Sequence, residues 1–121
     1  MMTDCLFCKM VEGRIAPDIV YEDSDVLAFN DIQPRAPAHV LIVPKRHIAT
    51  LNDLGPGDAE AVGKLFLAAG AIAKDRGFDR NGYRTVINCN ADAGQSVFHL
   101  HLHLLAGRAM GWPPFPDVAS P

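Results

Sequence analysis

His99-Leu100-His101-Leu102-His103-Leu104 alternates two residue types without a break. A period of two is the signature of a β-strand, in which residues i, i+2 and i+4 share a face. The pattern puts three imidazoles on one side and three leucines on the other. Leucine needs a core to pack against. Imidazole serves as nucleophile, base, acid or metal ligand near neutral pH. The stretch therefore predicts a sheet that is buried on one face and chemically equipped on the other. Three of the five histidines lie in this row, which makes it the candidate active site.

The neighbouring segments supply the rest of that sheet. His39–Pro44 (HVLIVP) reads as a buried strand. Val20–Glu22 and Val26–Asn30 read as a hairpin turning at Asp23-Ser24-Asp25. Tyr83–Asn88 and Val97–Leu105 read as the last two strands. Residues 58–76 carry Val62, Leu65, Phe66, Ala69 and Ile72 at helical spacing, with Gly77 suited to the position past the helix end. A short helix is expected over residues 4–12, ending near Gly13. Short connections pair strands antiparallel, and the long helix covers one face, which predicts an α+β domain. Prolines exclude a regular element from Gly111-Trp112-Pro113-Pro114-Phe115-Pro116, a segment suited to docking on its own domain or on a second subunit.

At 121 residues the chain suffices for one core, so a single domain over residues 1–121 is expected. Its net charge of −3 argues against a polynucleotide partner but leaves room for a small nucleotide. No long apolar stretch suggests a signal peptide or a membrane span. Three cysteines make an odd set, which fits a reducing, cytoplasmic compartment better than a disulfide scaffold.

Alternate strand residues lie about 6.8 Å apart, so neighbouring imidazoles can meet at one substrate or one metal. The row can be read as a solvated face, a three-histidine metal site or a nucleophile with helper histidines; the last is preferred. The preceding segment, Asn88 through Ser96, suits a turn whose N–H groups, with Gln95 and Ser96, face an anion. Cys5-x-x-Cys8 is half of a tetrahedral metal site, a redox pair or two unrelated thiols. His39 sits at the start of the apolar strand and His47 in the loop after it. Asp31 has the chemistry to hold a ribose diol.

Together these residues resemble the histidine triad (HIT) family, whose pattern alternates histidine with apolar residues as H-L-H-L-H-L-L does at 99–105. Further likeness lies in residues 28–39 (AFNDIQPRAPAH), 42–47 (IVPKRH), 94–98 (GQSVF) and 107–114 (GRAMGWPP). The chain looks most similar to the Hint-like purine nucleoside phosphoramidases. The resemblance implies a five-stranded antiparallel sheet with two helices, and a homodimer with one continuous sheet. It implies His101 as the nucleophile that forms a nucleotidyl-histidine intermediate on a phosphoramidate or aminoacyl-adenylate. His103 and His39 would assist, and Ser96 and Val97 would hold the phosphate or leaving amine. Asp31 would hold the ribose; Phe7, Phe29 and Ile32 the base; Asn88 and Gln95 the phosphate side. Cys5, Cys8, His47 and His99 would bind a structural zinc. Asn30 and Gly111 depart from animal members, which carry histidine there. Dinucleoside polyphosphate hydrolysis and nucleotide binding with little turnover are the alternative functions.

Overall fold

Five strands build one antiparallel sheet in the computed structural model, which describes residues 4–115. They are β1 (Ile19–Glu22), β2 (Val26–Asn30), β3 (Ala38–Pro44), β4 (Tyr83–Val86) and β5 (Leu102–Ala106), in spatial order β1-β2-β3-β5-β4. The helices are α1 (Leu6–Val11), α2 (Ala59–Asp75) and α3 (Asn90–Ala93). Pro116, the last residue of the expected irregular tail, lies outside the described residues, as do the ends of the expected 1–121 domain. No helix among the described residues is long and apolar enough to cross a membrane.

The central strand explains its own composition. Val40 and Ile42 of β3 face α2, while Leu41 and Val43 face α1, so both sides are covered and the run is continuously apolar. Leu100, Leu102 and Leu104 join the α2 side, each at most 1% exposed. Helix α2 answers with Leu65, Ala68, Ala69, Ile72 and Ala73, one stripe at 3.6-residue spacing. Phe66, expected on that stripe, lies off it and is 46% exposed. The helix ends in a Schellman motif: Gly77 (φ +81°) and Phe78 donate to the Lys74 and Ala73 carbonyls. The β1–β2 turn is closed by Asp23, whose Oδ1 accepts from the N–H groups of Asp25 and Val26.

Two expected strands are shorter than the sequence suggests. Strand β4 stops at Val86, and residues 90–93 then form a helical turn closed by Gly94 (φ +85°). Among the described residues there are therefore three α-helices, one of them a single turn, beside two 3-10 turns at Leu51–Asp53 and Pro56–Asp58. Strand β5 begins at Leu102, not Val97. The ladder to β3 ends at Ile42↔Leu102, and beyond it side chains take over the bonding. The Pro44 carbonyl accepts from the His99 ring at 2.8 Å, and the Val97 carbonyl from Gln95 Nε2 at 3.1 Å. Leu100 N–H donates to the Ile48 carbonyl instead of a ladder partner. The in–out alternation of histidine and leucine survives because both faces are packed, even where the strand has ended.

Candidate functional site

The imidazoles lie on the sheet face opposite α2, and backbone groups fix their protons. A carbonyl can only accept, so His101 Nδ1, 2.8 Å from the His99 carbonyl, carries the hydrogen. Burial holds His101 below the ordinary histidine range and keeps it neutral. Its proton sits on Nδ1, so Nε2 offers a lone pair. That nitrogen is a competent nucleophile.

The same reasoning runs from the other side. A backbone N–H can only donate, so Arg35 N donates to His39 Nδ1 at 2.9 Å. Burial also holds His39 down, with Asp31 opposing that effect. Neutral His39 therefore carries its hydrogen on Nε2 and donates to His103 Nδ1 at 2.9 Å. Burial, then the neighbouring His101 and His39, push His103 down to about 4. Its single hydrogen falls on Nε2, which is buried and has no partner among the described residues. A buried donor left unpaired costs about 1–3 kcal/mol, an expense a ligand acceptor would relieve. The His101 and His103 rings are 4.9 Å apart, so this N–H sits next to the nucleophile.

His99 turns to a different task. Its Nε2–H donates to the Pro44 carbonyl at 2.8 Å, which leaves Nδ1 bare. Nδ1 lies 3.3 Å from Cys5 Sγ, 3.5 Å from Cys8 Sγ and 3.2 Å from His47 Nδ1. Cys8 Sγ is 3.3 Å from His47 Nδ1. Metal bonds of about 2.0 Å to nitrogen and about 2.3 Å to sulfur space a tetrahedral set by roughly 3.3–3.8 Å. The four residues, whose ligand atoms all lie within 4.8 Å of one another, fit such an ion. Burial pushes the Cys8 thiol up to about 11, so a thiolate there requires a cation beside it. Cys5 is also the N-cap of α1, its Sγ accepting from Cys8 N–H. Phe7, between the cysteines, sets its edge against both His99 and His101, at 5.8 and 5.1 Å between ring centres.

The remaining candidates fall into two groups. Asp31 stands 3.5 Å from His39 Nε2 and braces its loop by accepting from Gln33 N–H. Phe7 and Phe29 pack edge to face at 5.4 Å, both buried, whereas Ile32 is 92% exposed. Ser96 is exposed, and Val97 and Asn88 are half-buried. Gln95 is buried, and both ends of its amide serve the loop: Oε1 accepts from Asn90 N–H and Nε2 donates to the Ala49 and Val97 carbonyls. It braces the segment that presents Ser96. Sequence reasoning did not find the Arg35 N–H or the His99 and Pro44 carbonyls, which set the tautomers. Backbone groups leave no residue-type signal.

Comparison with known proteins then decides the family. The HIT domain model matches residues 12–110. The chain belongs to the HIT family. It is 42% identical over 111 residues to a purine nucleoside phosphoramidase of Escherichia coli, covering 92% of this chain and 93% of that one. A crystal structure of a HIT family hydrolase from Legionella pneumophila superposes with a TM-score of 0.91 at 49% identity, covering 93% of this chain and all of that one. A histidine triad protein from Clostridium difficile gives a TM-score of 0.89 at 45% identity, over 92% and 96% of the two chains. This HIT protein is a hydrolase.

Proposed function

We propose that this HIT hydrolase, acting as one domain, cleaves the phosphorus–nitrogen bond of purine nucleoside phosphoramidates or aminoacyl-adenylates. The observation that carries the reading is the pairing of a bare His101 Nε2 with an unpartnered His103 Nε2–H. His101 Nε2 attacks the α-phosphorus, a nitrogen–phosphorus bond forms, and the bond to the leaving amine breaks. A covalent nucleotidyl-histidine divides one displacement into two, and water then attacks the same phosphorus to release the nucleoside monophosphate and restore His101. His103 donates to a phosphoryl oxygen or the leaving nitrogen. The phosphate charge raises the proton affinity of the His39–His103 pair, and Asp31 supports the protonated form. That pair supplies the proton the departing amine takes.

Asp31 holds the ribose, and Phe7, Phe29 and Ile32 form the base pocket. Ser96, the Val97 N–H and Asn88 face the phosphate, with Gln95 bracing them. Cys5, Cys8, His47 and His99 would hold a structural zinc, a closed site that contributes to folding and supplies no reaction chemistry. The unpaired edge of β4 would join a second copy into a homodimer, an arrangement suited to a cytoplasmic enzyme with reduced thiols.

The test is intact-protein mass spectrometry during hydrolysis of an adenosine phosphoramidate. The expected result is a transient AMP adduct on the wild type and none on His101→Ala. Turnover that persists in the variant would remove His101 as nucleophile.

A further inference from the structure

The Cys5–Cys8 turn belongs to two sites at once. Its sulfurs stand in the cluster with His47 and His99, while Phe7, between them, sets its ring against His101 and Phe29. The turn is tight: Lys9 N–H donates to the Cys5 carbonyl at 3.0 Å, and Cys8 N–H donates to Cys5 Sγ at 3.3 Å. A rearrangement of the two sulfurs therefore moves Phe7 as well. His99 makes a second link, since its Nδ1 faces both sulfurs and its carbonyl holds the His101 proton.

The two sulfurs differ in access. A cavity of about 440 Å³ opens against Cys5 and His47, walled by Leu6, Val97, Phe98 and Asp4, among others. Cys8 does not line it and is buried, as is His99. Cys89, the third thiol, belongs neither to the cavity nor to the cluster. Leu6 and Phe98 are exposed large apolar side chains at the cavity, and Asp4 is the one acid among the described residues that line it. Apolar walls beside a carboxylate favour an uncharged visitor over an anion. Thiolates, the form in which a metal holds cysteine, are also the form that peroxides oxidise. Cys5 is the cluster sulfur such a visitor meets.

We propose that Cys5 is a modification site for uncharged hydroperoxides, and that its oxidation to a Cys5–Cys8 disulfide expels the metal and weakens the nucleotide site. The proposal rests on the zinc and nucleotide readings above. The Cys5 thiolate attacks the terminal peroxide oxygen, the O–O bond breaks, and the alkoxide takes a proton from water to leave as an alcohol. Cys5 becomes a sulfenic acid. The Cys8 thiolate then attacks the Cys5 sulfur, an S–S bond forms, and hydroxide leaves and is protonated to water. Two electrons pass from the sulfurs to one peroxide. The second sulfur is at hand, since all four ligand atoms of the cluster lie within 4.8 Å of one another. The disulfide takes away two of four ligands, and His47 and His99 alone make half a tetrahedral site. A sulfur–sulfur bond of about 2.05 Å also draws the turn together and shifts the Phe7 edge relative to His101.

The experiment treats the zinc-loaded whole protein with cumene hydroperoxide and follows zinc release with a chromophoric chelator. In a parallel reaction dimedone traps sulfenic acid, and peptide mapping locates it. Calorimetry measures AMP affinity before oxidation, after it, and after reduction with dithiothreitol and added zinc. The proposal expects one zinc released per disulfide formed, and dimedone on Cys5 at least tenfold above Cys8 or Cys89. It expects AMP affinity to fall at least fivefold and to return on reduction. Cys89→Ser should match the wild type throughout. Oxidised glutathione, an anion, should release zinc at least tenfold more slowly than the hydroperoxide; equal rates overturn the preference for uncharged oxidants. Trapping first on Cys8 or Cys89, or zinc retained while Cys89 is oxidised, overturns the modification site. A disulfide form that has lost zinc but binds AMP unchanged overturns the coupling. AMP binding already absent in the reduced protein defeats the nucleotide reading, while zinc release and the trapped sulfur still decide the modification site. A chain that takes up no zinc defeats the cluster reading, and the proposal falls with it.

Discussion

His99 and His103 occupy equivalent positions in one alternating row, yet the fold treats them in opposite ways. Both ring nitrogens of His99 are committed, one to the Pro44 carbonyl and one to the cluster of Cys5, Cys8 and His47. His103 is anchored at Nδ1 alone, and its Nε2–H is held in the protein unpaired. His99 is fully buried, whereas His103 is half-buried. Satisfied polar groups give rigidity, and an unsatisfied one gives an appetite for ligand. One end of the row fixes the shape of the site and the other receives the substrate. His101 stands between them, its proton placed by the carbonyl of His99 and its ring beside that of His103.

The comparison breaks first at its centre. His101→Ala removes the nucleophile, and activity on a phosphoramidate should fall by about 10⁴-fold or more, with the melting temperature nearly unchanged. Steady-state kinetics alongside thermal unfolding checks both halves. A loss under tenfold would mean that another group attacks phosphorus.

The receiving end comes next. His103→Ala removes the donor beside the nucleophile and should lower kcat by about 10²- to 10⁴-fold, the range for general acid–base assistance. His39→Gln keeps a hydrogen-bond donor but disturbs the tautomer control, so its loss should be smaller, about tenfold. Neither change should shift the unfolding midpoint by more than a few degrees. If His39→Gln costs as much as His103→Ala, the two act as one unit and not as a chain with a weaker outer link.

The anchoring end should show the reverse balance. Cys8→Ala or removal of a bound metal frees His99, whose carbonyl holds the His101 proton. A destabilisation of about 2 kcal/mol would lower the melting temperature by roughly 10 °C in a domain of this size. Activity at 25 °C should fall only about tenfold while the sheet persists. Metal analysis with calorimetry on wild type and Cys8→Ala checks this. An unchanged melting temperature would show that the cluster anchors nothing.

The same contrast explains what could be read in advance. Alternation at 99–104 gave the two faces correctly, because hydrophobic burial depends on residue type, and the leucines do fill the α2 side. The strand boundaries did not follow, since Val97–His101 bonds through Gln95, Ile48 and the His99 ring instead of a neighbouring strand. Cys5, Cys8, His47 and His99 were legible as a group only through the family resemblance, and the fold does bring them together.

The gentlest test uses pH. Burial lowers the affinity of His39 and His101 for protons and holds His103 at about 4, against 6.5 for a free imidazole. Above pH 6.5 these groups are neutral both folded and unfolded, so they add no pH dependence to stability. Between 6.5 and about 4 the unfolded chain takes up protons that the fold refuses, so stability falls as pH falls through that window. Melting temperature should therefore decline from pH 7 to pH 5, and the decline should be shallower in His103→Ala. Activity should resist acid better than a free imidazole would, since His101 stays unprotonated. The acid limb of kcat/KM should have its half-point below 6.5. A half-point at or above that value would mean that a neighbouring negative charge outweighs burial at His101, and that Asp31 governs the nucleophile more strongly than the packed Phe7 edge does.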